Sequence, residues 1–238
     1  MAQIVKKEVV NPIKLKDTHG NVTATYDENM VTAVKNTVAK NATDEELFMF
    51  FSVANKYDLD PFLGEIYFAK FKDRNDGSEK SQILSSRAGF RKIAMREPTY
   101  KVHYSDYVCA NDEFKVTRKF GKLVDLEHTY SHTDRGALVG AYCVLETTDD
   151  RRYFFYAEFS KYNTGKNAWQ SYPNDMIIKV AETRVFKSFA NINGVEAEEA
   201  MPSEFSSEEN VELLEEKMKL NLLKLIQLKE RINYGSRP

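Results

Sequence analysis

A chain of 238 residues, 42% of them hydrophobic, can bury a sizeable core as one large domain or as one domain with appendages. No apolar run approaches the ~20 residues needed to cross a bilayer, and the first ten residues lack the apolar stretch of a signal peptide, so we expect a cytoplasmic protein. Cys109 and Cys143 lie far apart in sequence, which predicts neither a disulfide framework nor a cysteine metal site.

The net charge of −2 conceals a segregation of charge along the chain. Residues 70–122 carry a net charge of +6 and residues 151–194 carry +4, whereas residues 195–216 carry −9 and the last 22 residues carry +5. Two basic blocks followed by an acidic stretch indicate a polyanionic ligand.

The N-terminal quarter predicts a β-hairpin followed by two helices. Alternating apolar residues around a His-Gly-Asn turn favour a hairpin, which we assign to an arm of residues 1–26. Asp27 is suited to cap a helix that runs to about Lys40. Thr43 and Glu46 form a capping box, and the helix behind it is apolar nearly all round. Such a helix is either fully buried or shared with a second subunit.

A stretch rich in strands comes next. Residues 65–72 and 82–86 predict strands, and residues 87–97 predict a short helix. Five further strand patterns between residues 100 and 159 predict an antiparallel meander. Because the strands are grouped between helices, we expect an α+β fold in which an antiparallel sheet packs against helices.

The segment from Trp169 to Asn191 predicts a helix that begins at a proline. Pro173 suits a first helical turn, and Asp175 lies near the positive end of the helix dipole. The spacing predicts one buried apolar face, with these members: Ile178, Ala181, Val185 and Phe189.

A second face of the same helix is basic. Lys179, Thr183 and Lys187 recur every fourth residue, with Arg184 beside them. An ordinary solvated face is one explanation of this row, since exposed Lys and Arg are common. The alternative is a bound phosphate backbone, favoured because few acidic residues on the helix can neutralise these cations.

The composition changes after the helix. Residues 27–193 form the predicted core domain, residues 194–209 an acidic linker, and residues 210–238 a C-terminal amphipathic helix. This last helix is too short to fold alone, and both a partner-binding appendage and an integral helix of the core remain open.

Catalytic motifs are missing from the sequence. Thr164-Gly165-Lys166 resembles the end of a phosphate-binding loop, but Ser160 stands where that loop requires a glycine. His128 and His132 are spaced like zinc ligands on a helix, yet they fall in a strand pattern. The residue spacing indicates no nucleophile beside a base and no carboxylate cluster, so we expect no enzymatic activity and no cofactor.

Three ordered segments carry a family resemblance. The stretch TDEELFMFFSVANKYDLDPFLGEIYF (43–68) contributes Asn55, Tyr57, Leu59, Pro61 and Glu65-Ile66-Tyr67, and AWQSYPNDM (168–176) contributes Trp169, Gln170, Ser171 and Pro173. Both resemble the Bet branch of the RecT/Bet family of phage single-strand annealing recombinases. The spacing of Met176, Lys179, Arg184 and Lys187 is similar to a helix of the RecT branch. The resemblance spans residues 27–192.

This resemblance implies a function in phage recombination. Members bind single-stranded DNA without ATP, pair complementary strands, and assemble as rings or helical filaments on the annealed duplex. The expected partners are therefore single-stranded DNA, the annealed duplex, further copies of the chain, a phage 5'-3' exonuclease and the host single-strand-binding protein, with no membrane. Magnesium is expected to modulate annealing only. The expected location is the bacterial cytoplasm, and the gene would belong to a phage or prophage.

The candidate DNA-binding residues follow from a simple requirement. Annealing must accept any sequence, so the protein should hold phosphates and leave the base-pairing edges free. The leading candidates are Lys179, Arg184 and Lys187. Arg87 and Arg91 are further candidates because they lie near a helix start, where the dipole also favours phosphate. The weaker candidates are Lys40, Lys70, Lys72 and Lys166. Trp169 either stacks on bases or packs on the core.

Some positions depart from the family pattern, and other functions stay open. The Bet branch has cations where Gly64, Asn174 and Asp175 stand here, so its contacts at those points are not carried over. The alternative function is a structural or adaptor oligomer without direct DNA chemistry, built from helices 27–57 and 211–232. A nuclease is a third class, disfavoured by the missing carboxylate cluster.

Overall fold

The computed structural model describes residues 11–16, 21–72 and 77–197. Two compact units meet in the chain between Leu84 and Ser85, inside the single core domain predicted over residues 27–193. Residues 198–209 of the predicted linker and the whole predicted C-terminal helix 210–238 lie outside the described residues. Within the described ranges, no helix has the length and apolar character needed to cross a bilayer.

The first unit begins with the predicted hairpin and its two helices. Strands β1 (Ile13–Lys16) and β2 (Val22–Tyr26) pair antiparallel, which confirms the hairpin. Helix α1 (Glu28–Asn36) starts where predicted, because the Asp27 carboxylate accepts a hydrogen bond from the Met30 amide at 2.8 Å. It ends four residues short of Lys40.

Helix α2 (Asp44–Tyr57) supplies much of this unit's core. Its capping box is confirmed, since Thr43 Oγ1 accepts from the Glu46 amide at 3.2 Å and Glu46 Oε2 accepts from the Thr43 amide at 2.8 Å. Its buried residues are Leu47, Phe50, Phe51 and Ala54. Phe48 and Met49 are exposed, by 48% and 61%. A 3₁₀ turn (Pro61–Leu63) leads to neighbouring strands β3 (Ile66–Lys72) and β4 (Glu79–Ser85).

The second unit is a sheet covered on both faces. Its elements in chain order are α3 (Arg87–Arg96), β5 (Tyr100–Cys109), β6 (Glu113–Lys119), β7 (Lys122–Thr129), β8 (Leu138–Thr147), β9 (Arg152–Glu158), α4 (Phe159–Tyr162), α5 (Ala168–Ser171), α6 (Pro173–Phe189) and β10 (Glu196–Ala197). The sheet order is β5-β8-β9, while β6 and β7 form a separate two-stranded sheet. The pairing is antiparallel but departs from a sequential meander, because β5 pairs with β8 across the β6–β7 hairpin.

Alternation along β9 separates the two covering layers. Tyr153 packs edge-on to Phe189 of α6, with ring centroids 5.2 Å apart. Phe154, the next residue, packs against the same buried cluster, formed by Val108, Tyr142 and Val144, as the β6–β7 hairpin residues Leu123 and Leu126. Successive side chains of a strand point to opposite faces, so α6 covers one face of the sheet and the hairpin covers the other. The predicted α+β class is confirmed.

Candidate nucleic-acid interface

A buried carboxylate lies at the centre of the basic helix. Glu182 is only 1% exposed. Its Oε1 accepts hydrogen bonds from Arg87 Nη2 and from Ser105 Oγ, both at 2.6 Å. Its Oε2 accepts from Arg87 Nε, and Arg91 Nη2 is 3.4 Å away. Helices α3 and α6 and strand β5 are thereby joined through one side chain.

The ionisation of Glu182 follows from these contacts. Burial raises the pKa of a carboxyl, but the hydrogen bonds from Arg87 and Ser105 and the charges of Arg87 and Arg91 lower it, and the net pKa of Glu182 lies below its usual value. The carboxylate is therefore charged at neutral pH and holds two guanidinium groups beside α6.

Burial around α6 differs from the predicted separation into apolar and basic faces. Ala181 and Val185 are buried as predicted, but Ile177, Val180, Glu182, Thr183 and Phe186 are buried as well. The middle of the helix is enclosed on nearly every side because α3, β5, β8 and β9 all pack against it. The predicted row of Lys179, Thr183 and Lys187 is therefore wrong as a continuous solvated face, since Thr183 is 1% exposed.

The three cations of α6 point to different neighbours. Lys187 Nζ donates to the Val195 carbonyl at 2.9 Å and lies 3.0 Å from a Glu196 carboxylate oxygen. Arg184 is exposed, with Cζ 6.0 Å from the Phe155 ring centroid. Lys179 is half-buried. Arg184 thus offers the most accessible charge of the three.

Arg87 and Arg91 lie on α3, which packs against α6 in the same unit. Their side chains are 35% and 40% exposed, so part of each guanidinium group reaches solvent while the rest is bound to Glu182. Two arginines on one carboxylate leave a net charge of +1 at this place. Because α3 packs against α6, two neighbouring helices carry five of the predicted candidates: Arg87, Arg91, Lys179, Arg184 and Lys187.

The predicted lysines of the first unit have different environments. Lys70 Nζ lies 3.2 Å from both the Asn41 carbonyl oxygen and a Glu46 carboxylate oxygen, and its side chain is 19% exposed. Lys40 and Lys72 are exposed. Lys70 therefore supports the fold of the first unit, while the other two can reach a ligand.

Trp169 and Lys166 belong to the segment before α6. Trp169 is buried in α5, with its ring centroid 6.2 Å from that of Phe159. This burial favours the packing alternative over base stacking. Lys166 is exposed, and its carbonyl accepts a hydrogen bond from the Trp169 amide at 3.1 Å.

Glu182 is the residue that sequence reasoning missed. At 100° per residue it lies on the helix between Ile178 and Phe186, within the apolar arc. An acidic residue in such an arc indicates a buried cationic partner, because an unpaired buried charge is strongly disfavoured.

His128 lies within hydrogen-bond distance of two side chains of the fold. Its Nε2 lies 3.1 Å from Asp112 Oδ2, and its Nδ1 lies 3.2 Å from the Tyr142 hydroxyl. In the part of the chain that the structure describes, no group of three His, Cys, Asp or Glu side chains is placed to hold a metal ion.

Comparison with known proteins gives the family. The chain matches no curated protein. The family model described as "RecT family" matches residues 24–213, which is more than half of the chain. The chain therefore belongs to the RecT family, whose members act in phage single-strand annealing recombination.

Proposed function

We propose that the protein binds single-stranded DNA and anneals complementary strands without ATP, holding the phosphate backbone in a basic groove of an oligomer. The observation that carries this proposal is a set of five cations on two packed helices in a chain of the RecT family. Buried Glu182 holds Arg87 and Arg91 of α3 beside α6, and α6 carries the other three cations. The five cations of this set are Arg87, Arg91, Lys179, Arg184 and Lys187.

The geometry suits phosphate more than base edges. Glu182 fixes two planar guanidinium groups before any ligand arrives, and fixed arginines lose less conformational entropy when they bind an oxyanion. Phosphate contacts position a strand without carrying sequence information, and they leave the Watson–Crick edges free to pair. Sequence-independent binding is what annealing needs.

The triple substitution Lys179→Gln, Arg184→Gln and Lys187→Gln tests this function. If these cations neutralise phosphates, affinity for single-stranded DNA should fall about equally for all sequences. The slope of log affinity against log salt should flatten by up to ~2, at ~0.7 per single-strand phosphate. Filter binding across a salt series measures both.

A matched control uses two exposed cations of the same unit, each paired with a carboxylate on its own element or turn. Lys161 and Arg151 are exposed and pair with Glu158 and Asp149. Their double change to Gln should leave the salt slope at the wild-type value. A wild-type slope in the triple variant would contradict the proposal, and a lowered melting temperature with unchanged binding would assign the α6 cations to folding.

Annealing is expected to need neither nucleotide nor metal. Because no phosphate-binding loop is present in the sequence, short complementary oligonucleotides should pair in excess EDTA and without ATP. Magnesium should change only the rate, since divalent ions screen the repulsion between two strands. An absolute requirement for ATP would contradict this expectation.

The partners follow the same proposal. We propose homo-oligomers in the form of rings or helical filaments, a phage 5'-3' exonuclease that supplies single strands, and contact with the host single-strand-binding protein. The exposed Phe48 and Met49 of α2 support an interface with another copy, because large apolar side chains on one helix turn favour protein contacts.

The same two residues favour a second candidate function, a structural or adaptor oligomer. In that case α2 would mediate assembly while the cations of α3 and α6 serve the fold alone. Mobility shift with an oligonucleotide of arbitrary sequence separates the two functions, because only the annealing protein retards the DNA. A shortened oligonucleotide after magnesium addition would instead indicate a nuclease.

A further inference from the structure

The tip of the β6–β7 hairpin exposes an aromatic ring that neither packing nor turn chemistry explains. Phe120 is 92% exposed. Together with Gly121 it forms the two-residue loop between Lys119 and Lys122. Both loop residues have positive φ, 52° and 78°, as a type I′ turn requires.

This conformation is unfavourable for phenylalanine. Asn, Asp and Gly are preferred at the first loop position of such a turn, whereas a bulky residue with positive φ is an outlier. The Phe120 ring also buries almost none of its area. A residue that strains the backbone and gains no packing indicates a function outside the fold.

The surroundings of the ring are strongly basic. Residues 114–122 contain four Lys or Arg and no Asp or Glu. Arg118 Nη2 donates to the carbonyl of the turn at 2.7 Å, and Lys119 Nζ lies 5.7 Å from the Phe120 ring centroid. In the described ranges, Lys119 and Lys122 form no ion pair with a carboxylate. The tip therefore presents an open aromatic face with uncompensated positive charge on both sides.

The base of the hairpin is firmly held. Phe114 stacks on Tyr142 and on Tyr156, with ring centroids 5.4 Å and 5.5 Å apart. Asp112, just before β6, accepts hydrogen bonds from Arg135 Nε at 3.0 Å and Nη2 at 2.7 Å. These contacts anchor the hairpin to the face of the sheet opposite α6, so its tip is presented on a rigid support.

We propose that Phe120 stacks on an unpaired base of single-stranded DNA while Lys119 and Lys122 contact the adjacent phosphates. An aromatic side chain beside cations is the composition of a sequence-tolerant stacking site, because every base has a π-face. An apolar protein pocket fits less well, since it would desolvate the flanking lysines without neutralising them. The inference rests on the proposed DNA-binding function and adds a second contact surface to it.

Two substitutions at position 120 test the stacking. Phe120→Asn removes the ring and suits the turn, so the melting temperature should stay the same or rise. Its affinity for an oligothymidine should fall about 5- to 100-fold, while the salt slope stays at the wild-type value because no charge is lost. Phe120→Trp keeps an aromatic face and should bind like wild type.

An abasic oligonucleotide of the same length separates stacking from phosphate binding. Phe120→Asn and wild type should bind it equally, because it offers no base. The fluorescence of Phe120→Trp, after subtraction of the wild-type signal from Trp169, should be quenched by oligothymidine and unchanged by the abasic strand. The double variant Lys119→Gln and Lys122→Gln should flatten the salt slope by up to ~1.4, corresponding to two phosphates.

Four other results would contradict part or all of this proposal. Phe120→Asn binding oligothymidine within twofold of wild type would overturn the stacking while the proposed function stands. An unchanged slope in the lysine double variant would overturn the phosphate contacts. A smaller oligomer for Phe120→Asn without DNA, with unchanged DNA affinity, would assign the ring to another copy of the chain. A wild-type protein that binds no DNA would overturn the proposed function itself.

Discussion

Glu182 shows how a single buried carboxylate can organise a basic surface. Arg87 and Arg91 come from α3, yet both reach the same side chain of α6. A carboxylate in this position would be strongly destabilising without them, because burial removes its hydration. The arginines therefore support the fold with one part of each guanidinium group and remain open to solvent with another.

Replacing this carboxylate should weaken the fold. We expect Glu182→Gln to lower the free energy of unfolding by about 2 kcal/mol, below the range for fully buried pairs because both arginines are partly exposed. Chemical denaturation measures the change. The control is Glu158→Gln, which removes an exposed partner of Lys161 and should leave the unfolding transition in place. Equal stability of the two variants would contradict a structural role for Glu182.

The lowered pKa of Glu182 predicts how its contribution to stability depends on pH. The pKa of Glu182 is lower in the folded protein than its ordinary 4.5, so the unfolded chain binds more protons in acid. Its contribution to stability is therefore fully present above pH 4.5 and is lost as the pH falls through the folded pKa. The melting temperatures of wild type and Glu182→Gln should differ by a constant amount near neutral pH and converge in acid. A difference that persists unchanged into strong acid would refute this assignment.

Local sequence signals were sufficient to predict where helices begin. Asp27 and Thr43 each cap a helix as predicted, because capping depends on residues three positions apart. Pro173 begins α6 as predicted, because its fixed φ suits the first helical turn. The turn at Gly121 likewise has the positive φ that glycine adopts readily.

Non-local packing explains what the sequence left open. Arg87 is 95 residues from Glu182, so no local pattern connects the two. The pairing of β5 with β8 depends on the β6–β7 hairpin folding over the sheet, which the strand patterns themselves do not determine. The enclosure of α6 has the same origin, since a basic row at helical spacing does not reveal how many elements surround the helix.

The exposed apolar side chains of α2 can be tested as an interface between copies of the chain. Phe48 and Met49 are exposed, so changing both to Gln should leave thermal stability nearly unchanged, as is usual for surface positions away from the core. If they form an interface between copies, the double variant should sediment as a smaller species than wild type. The control is Asn36→Gln, which also places Gln at an exposed helical position, on α1, and should sediment like wild type. Identical sedimentation of all three proteins would exclude this surface from assembly.

At the scale of the whole molecule, the candidate DNA contacts are distributed along the chain. Lys40 and Lys72 belong to the first unit, whereas the α3–α6 cations and the hairpin tip belong to the second. Beyond them the sequence changes sign, with −9 over residues 195–216 and +5 over the last 22 residues. Acidic side chains near a phosphate site compete with DNA for the same cations. The charge pattern therefore predicts that the C-terminal part regulates annealing and is not needed for it.

A chain that ends at Met201 tests this prediction. We expect it to fold, to bind single-stranded DNA at least as tightly as the full chain at low salt, and to anneal strands in vitro. We also expect it to lose contacts with recombination partners, because the apolar residues at helical spacing after residue 210 suit a protein surface. Circular dichroism melting measures folding, filter binding at low salt measures affinity, and pairing of labelled oligonucleotides measures annealing. Co-purification with the exonuclease measures the partner contact. Insolubility, or loss of the cooperative transition, would instead show that residues 202–238 belong to the core, since removing an integral helix exposes the apolar surface that it covers.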